Sequence, residues 1–256
     1  MTGWIEQIGP LFLGLSFAIV LLSGFVKGAV GFAMPMIIIS GLGSFLPPDT
    51  ALAALILPTV LSNVMQALRG GLRAAWGSVR RFRVFIVTLL VVIALSAQLV
   101  ALLPGWLMYL ALGLLVTLFA GSQLAGWRPR LQARHRARVE VIMGAAAGLA
   151  GGVSGVWGPP TVAYLTTIDA PKAEQLRIQG VIYGAGAVVL LGAHLKSGVL
   201  NAQTLPLSLA LVVPALLGML AGFRLHDRLD AERFRRATLA VLVLAGLNLI
   251  RRGLTG

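Results

Sequence analysis

A lysine at position 27 sits in the stretch "GFVKGAVGFAMP", residues 24 to 35, between the apolar flanks "LFLGLSFAIVLLS" and "MIIISGLGSFL". A basic side chain in such surroundings suits one chemistry above others, the attraction of an anion. Gly24, Gly28 and Gly31 are spaced i, i+4, i+7. That spacing clears one helix face of side chains, either to admit a neighbouring helix or to offer backbone N–H groups to a ligand. The pattern returns 124 residues later as Gly148, Gly152 and Gly155, and Pro35 returns as Pro159, followed by Pro160. Ser154 and Trp157 accompany the second run, and Asn63, Gln66, Gln179 and Tyr183 are polar positions within later apolar segments.

The candidate substrate-binding residues are therefore Lys27, Gly28, Gly31, Asn63, Gly152, Ser154, Gly155, Trp157, Gln179 and Tyr183. Gly24, Pro35, Gly148, Pro159 and Pro160 are taken as structural residues of the motif. Each has a plainer alternative. Small residues four apart commonly pack membrane helices, a lysine near an interface snorkels, and buried amides bond neighbouring helices. Trp157 and Tyr164 also suit a core, and Trp106, Tyr109 and Trp127 suit the interfacial belt.

Catalytic patterns are weak. His135, His194 and His226 are far apart in sequence, with no metal-ligand spacing. "GVSGV" at 152–156 lacks the second glycine of a nucleophile elbow where it is required, and no phosphate-binding loop occurs. Glu140 adjoins the second glycine run, where a helix-start role is favoured over a proton relay. No cysteine is present, so thiolate metal sites and thiol catalysis are excluded. The expectation is a chain that is not an enzyme and needs no metal or cofactor.

The elements that carry these residues follow from composition. Of 256 residues 58% are hydrophobic and only 11% charged, with mean hydropathy +0.91, which describes an integral membrane protein. Lipid is then the surrounding partner. The net charge of +13 needs no nucleic acid, because basic residues of such proteins gather in cytoplasmic loops. Spanning-length apolar stretches occur near 50–68, 83–103, 106–127, 175–195, 204–223 and 234–250. The segments about 9–45 and 139–168 are broken by glycines and read as helical hairpins.

Seventeen of the 21 Lys and Arg then fall on one side, in the loops around Arg80, Arg134 (the 128–138 loop), Arg177 and Arg233. Lys196, Arg251 and Arg252 fall on the other. The positive-inside tendency makes the first side cytoplasmic and puts both termini outside. The fold class expected is all-α and polytopic, with two inverted repeats, residues 1–127 and 139–256. Each is a broken hairpin plus three transmembrane helices, as in many secondary transporters. The hairpins enter from opposite faces and meet near the midplane, where a non-helical turn is tolerated only inside protein or beside a cavity. The half-helix after each break presents a positive N-terminal end to an anion.

"GFVKGAVGFAMP" and "GLAGGVSGVWGPPTVAYL", with the loops "LRGG" and "LKSG" one helix later, resemble the two signature repeats of the TauE/SafE sulfite exporter family over nearly the whole chain. The second is the more specific. The first departs from the usual pattern at Ala33, where glycine is common, and in its early proline. The resemblance implies a multi-pass permease of the bacterial inner membrane that moves sulfite or small organosulfonate anions. A proton or sodium as coupling ion, and a homodimer, are compatible with it. A channel-like pore or a scaffold subunit of a larger complex is the alternative function.

Overall fold

The computed structural model describes residues 4–98, 103–127, 135–168, 172–226 and 231–255. Arg128, Arg130 and Arg134 of the basic loop, and Arg228, lie outside the described residues. Among the described residues all regular structure is helical.

Twelve helices follow one another: α1 (Trp4–Val30, interrupted at Gly9), α2 (Met34–Leu42), α3 (Pro48–Leu68), α4 (Leu72–Arg81), α5 (Arg83–Ser96), α6 (Gly105–Leu124), α7 (Arg136–Ser154), α8 (Gly158–Thr167), α9 (Lys172–Lys196), α10 (Leu205–Ala210), α11 (Val212–His226) and α12 (Ala231–Thr255). Six stretches are long and apolar enough to cross a membrane: Gly9–Val30, Pro48–Leu68, Gly105–Leu124, Glu174–Lys196, Leu205–Arg224 and Arg236–Thr255. The protein is a multi-pass membrane protein.

The first hairpin differs from the sequence expectation. The segment 9–45 is an uneven hairpin, with α1 long enough to cross the bilayer and α2 only nine residues. Gly24 and Gly28 do not break α1; the chain leaves the helix only after Val30. Within the largely apolar stretch 83–103 the described residues carry a continuous helix of 14 residues, α5, and residues 99–102 lie outside the described residues.

The helices associate in four main pairs: α1 with α11, α5 with α7, α6 with α12, and α3 with α9. Advancing the chain by 124 residues carries the end of α1 onto the end of α7, and the starts of α2 and α3 onto those of α8 and α9. The same exchange turns the α1–α11 pair into α7–α5. The α3–α9 pair lies at the centre, with 61% of each span buried against 28–44% for the other four.

Close backbone approach explains why so many glycines serve these pairs. A Cβ on Gly24 would stand 2.2 Å from the Ala215 carbonyl oxygen of α11, and one on Gly28 2.3 Å from that of Met219. Gly218 and Gly222 of α11 meet the Leu21 and Phe25 carbonyls of α1 in return. Gly148 and Gly152 bring α7 as close to α5. Without a hydrophobic drive between helices in lipid, such contact is a main source of cohesion.

The two ends of the bundle differ in chemistry. At one end Arg81 pairs with Glu174 at 3.4 Å and Arg177 donates to Ser78 Oγ at 3.3 Å. There too Arg136 donates to the Arg81 carbonyl, and Arg69 covers the Phe223 ring. At the other end Phe12 of α1 stacks on Phe45, Tyr109 donates to the Leu46 carbonyl at 2.8 Å, and Arg252 of α12 covers Tyr109. The helices α1 and α7 therefore start at opposite ends.

Candidate functional site

Both breaks are written into the backbone. The first follows Gly31, at φ +88°, and passes Ala33, at φ +78°, before Pro35 sets the first turn of α2. Proline has no N–H to bond backward and its ring excludes the carbonyl four residues earlier, so α1 and α2 cannot fuse. An alanine in the left-handed region costs about 1–2 kcal/mol. The second break follows Gly155, at φ +69°, and α8 starts with Gly158, Pro159 and Pro160.

Each long arm ends with an equivalent bond, Gly31 N–H to the Lys27 carbonyl and Gly155 N–H to that of Gly151, both at 2.7 Å. A Cβ on Gly31 would meet Leu176 and Gln179 of α9. On Gly155 it would meet Leu52 and Leu55 of α3, their counterparts 124 residues earlier. Gln66 fastens the first break to the central pair: its Nε2 donates to the Gly31 and Leu176 carbonyls, each at 2.9 Å.

The breaks meet at one cavity. Phe32, Ala33, Pro35 and Met36 line it from the first, Val156, Trp157 and Gly158 from the second, and Lys27, Asn63 and Tyr183 from α1, α3 and α9. Its free volume is about 10 Å³, room for one water-sized molecule. An oxyanion enters only when these walls part.

Lys27 does not snorkel to the surface; it is 1% exposed. Its Nζ donates to Ser62 Oγ at 2.9 Å and to Asn63 Oδ1. Ser62 in turn donates to the Thr59 carbonyl at 3.1 Å, so its oxygen serves Lys27 as acceptor. Two of the three N–H groups of an ammonium are thus held, and the third is left for the cavity. The contact to Lys27 also identifies Oδ1 as the oxygen of the Asn63 amide, leaving Nδ2 as its donor end. Asn63 Nδ2 and the Tyr183 hydroxyl are buried and have no hydrogen-bond partner among the described residues. Neither Asp nor Glu lines the cavity, and Lys27 forms no ion pair among the described residues. A buried charge is costly unless paired, and the lining offers Lys27 no carboxylate.

Of the residues singled out by sequence, Lys27, Asn63, Trp157, Tyr183 and Pro35 come together at this cavity. Gly31 and Gly155 make the turns that deliver its walls. Gly28 and Gly152 are occupied by helix packing, as are Gly24 and Gly148. Gln179 stands beside Gly31, away from the cavity lining. Pro159 and Pro160 start α8, and the side chain of Ser154 lies outside the described residues. Sequence reasoning missed Phe32, Met36, Val156 and Ser62. The first three resemble any core residue, and Ser62 is marked only by adjoining Asn63.

Two further polar clusters lie off the cavity lining. Glu140 of α7 is buried and accepts from Arg136 Nε at 2.9 Å and from the Tyr164 hydroxyl at 2.7 Å, tying the start of α7 to α8. His194 is buried, with Nδ1 3.1 Å from Ser197 Oγ. Among the described residues no group of His, Asp or Glu has the proximity to hold a metal ion.

A family model described as "Sulfite exporter TauE/SafE" matches residues 16–249, which takes in both breaks, the central pair and the cavity. No curated protein and no solved structure gives a significant match. With the match covering nearly all of the 256 residues, the chain belongs to the TauE/SafE sulfite exporter family of membrane transporters.

Proposed function

We propose that the chain is a secondary transporter that carries sulfite or a small organosulfonate across the bacterial inner membrane by alternating access around the Lys27 cavity. The observation that carries this reading is a buried lysine with no carboxylate partner, set where the two breaks meet and beside the unpartnered donors of Asn63 and Tyr183. An anion supplies the missing countercharge. The closed cavity favours a carrier that opens to one side at a time over a standing pore.

Two inverted repeats, 1–127 and 139–256, are part of the same proposal. The recurrence of helix boundaries and of break contacts at a spacing of 124 residues supports it, as do the opposite starting ends of α1 and α7. The arginine-rich end faces the cytoplasm in this reading, which leaves both termini outside. A coupling ion, proton or sodium, and a homodimeric assembly fit the proposal.

The test is uptake of labelled sulfite and labelled methanesulfonate into proteoliposomes that contain the full chain alone. Saturable uptake that falls at least tenfold in Lys27→Gln, equivalent to about 1.4 kcal/mol, is the expected result. Uptake by Lys27→Gln equal to wild type, or uptake that requires a second protein, would refute the reading.

A further inference from the structure

The cavity carries one formal charge, on Lys27, and neutral groups elsewhere on its lining. Arg69 and Arg177 are engaged at the arginine-rich end, over Phe223 and with Ser78, and do not line it. The side-chain donors include the third N–H of Lys27, Asn63 Nδ2 and the Tyr183 hydroxyl, one from each of α1, α3 and α9. Pro35 in the first turn of α2, and Pro159 and Pro160 in that of α8, have no N–H to add. The rest of the lining is largely apolar, with Phe32, Met36 and Trp157 its largest members, Trp157 carrying an indole N–H as well.

We infer that this site selects monovalent oxyanions over divalent ones, and that it accepts an apolar substituent on the anion. The inference rests on the anion-transport reading and narrows its substrate class. In a site closed to water one cation neutralises one negative charge, and a second stays uncompensated and desolvated. A sulfonate carries the single charge that Lys27 balances, and its remaining substituent is carbon and suits the wall formed by Phe32, Met36 and Trp157. Sulfate brings a second charge, and the lining has no second cation to receive it. By the same logic bisulfite is carried in preference to the divalent sulfite ion.

Asn63 gives the discriminating variant. Its Oδ1 already touches Lys27 Nζ, so Asn63→Asp places a carboxylate beside the ammonium and satisfies the charge within the protein. The fold keeps its buried lysine paired, and the site loses its need for an anion.

The experiment is calorimetric titration of the purified full chain with methanesulfonate and with sulfate. It is done for wild type, Asn63→Asp and Lys27→Gln, with thermal unfolding recorded for each. Wild type should bind methanesulfonate at least tenfold more tightly than sulfate. Both variants should lose at least tenfold in methanesulfonate affinity, and Asn63→Asp should unfold at no lower temperature than wild type. Sulfate binding as tight as methanesulfonate overturns the charge selection and leaves anion transport standing. Unchanged methanesulfonate affinity in folded Asn63→Asp overturns the single-cation account. Failure of wild-type protein to bind either anion overturns this inference and the transport reading together.

Discussion

The two glycine breaks share a backbone and little else. At the position where the first carries Lys27 the second carries Gly151, and where the first has Ala33 the second has Trp157, whose ring lies over Gly151. Ser16 and Ser40 of the first hairpin correspond to Glu140 and Tyr164 of the second. Ser16 bonds its own helix at the Phe12 carbonyl and Ser40 Oγ has no partner among the described residues, while Glu140 and Tyr164 bond each other. Ser62 and Asn63, which hold Lys27, correspond to Gly186 and Ala187. The two halves thus divide the work: the first brings charge and its acceptors to the cavity, and the second brings Trp157 to the cavity wall and a polar latch away from it. A perfectly repeated site would hold two lysines side by side in low dielectric, where like charges repel strongly.

The contrast can be broken at three levels. The largest effect is expected where the arms pack. In Gly28→Ala the new methyl meets the Met219 carbonyl oxygen at 2.3 Å, whereas in Gly152→Ala the closest atom is the movable Ser96 hydroxyl and the nearest backbone, Ala97 N, stands farther off at 2.9 Å. Unfolding in detergent should show a loss of about 3 kcal/mol for Gly28→Ala and a smaller one for Gly152→Ala, within the range for overpacked sites. Equal losses would mean that α5 and α11 hold their partners equally rigidly.

An intermediate effect is expected at the latch. Glu140→Ala leaves the buried Tyr164 hydroxyl without its acceptor and Arg136 without its ion pair. Arg136 is well exposed, so most of the cost, about 2 kcal/mol, comes from the unsatisfied hydroxyl. Ser16→Ala, the corresponding change in the first hairpin, should shift stability by less than about 0.5 kcal/mol. Comparable melting shifts for the two variants would remove the latch from the comparison.

The smallest effect has the opposite sign. Ala33 is the one non-glycine residue at positive φ among the described residues. Ala33→Gly relieves that conformation and adds some freedom to the unfolded chain, for a net gain of about 0.5–1 kcal/mol. A higher melting temperature with uptake unchanged or slower is the expected result. A lower melting temperature would show that the Ala33 methyl, buried on the cavity wall, contributes more by packing than it costs in strain.

Much of this was legible in the residues themselves. Composition identified membrane helices, and the paired glycine-proline runs located both breaks. Gly24 and Gly28 were harder to place, because glycines four apart look the same whether they end a helix or bring two helices together. Only the proline that follows distinguishes Gly31, where the chain turns, from Gly28, where it does not. Lys27, Asn63, Trp157 and Tyr183 were conspicuous as polar or aromatic residues in apolar spans. The apolar wall was not, since nothing in the types of Phe32, Met36 or Val156 separates a cavity lining from a core.

Trp157 has an optical consequence. Of the five tryptophans, Trp76, Trp106 and Trp127 are exposed, whereas Trp157 is buried in the cavity wall, 6.3 Å from the Tyr183 ring between centroids. A version of the protein with phenylalanine at the four other tryptophan positions would emit from this indole alone. Its emission should lie to the blue while the breaks are closed and move to the red as the cavity admits water. The opening that the proposed alternating access requires can then be timed by fluorescence in stopped flow, without a label and without a radioactive substrate.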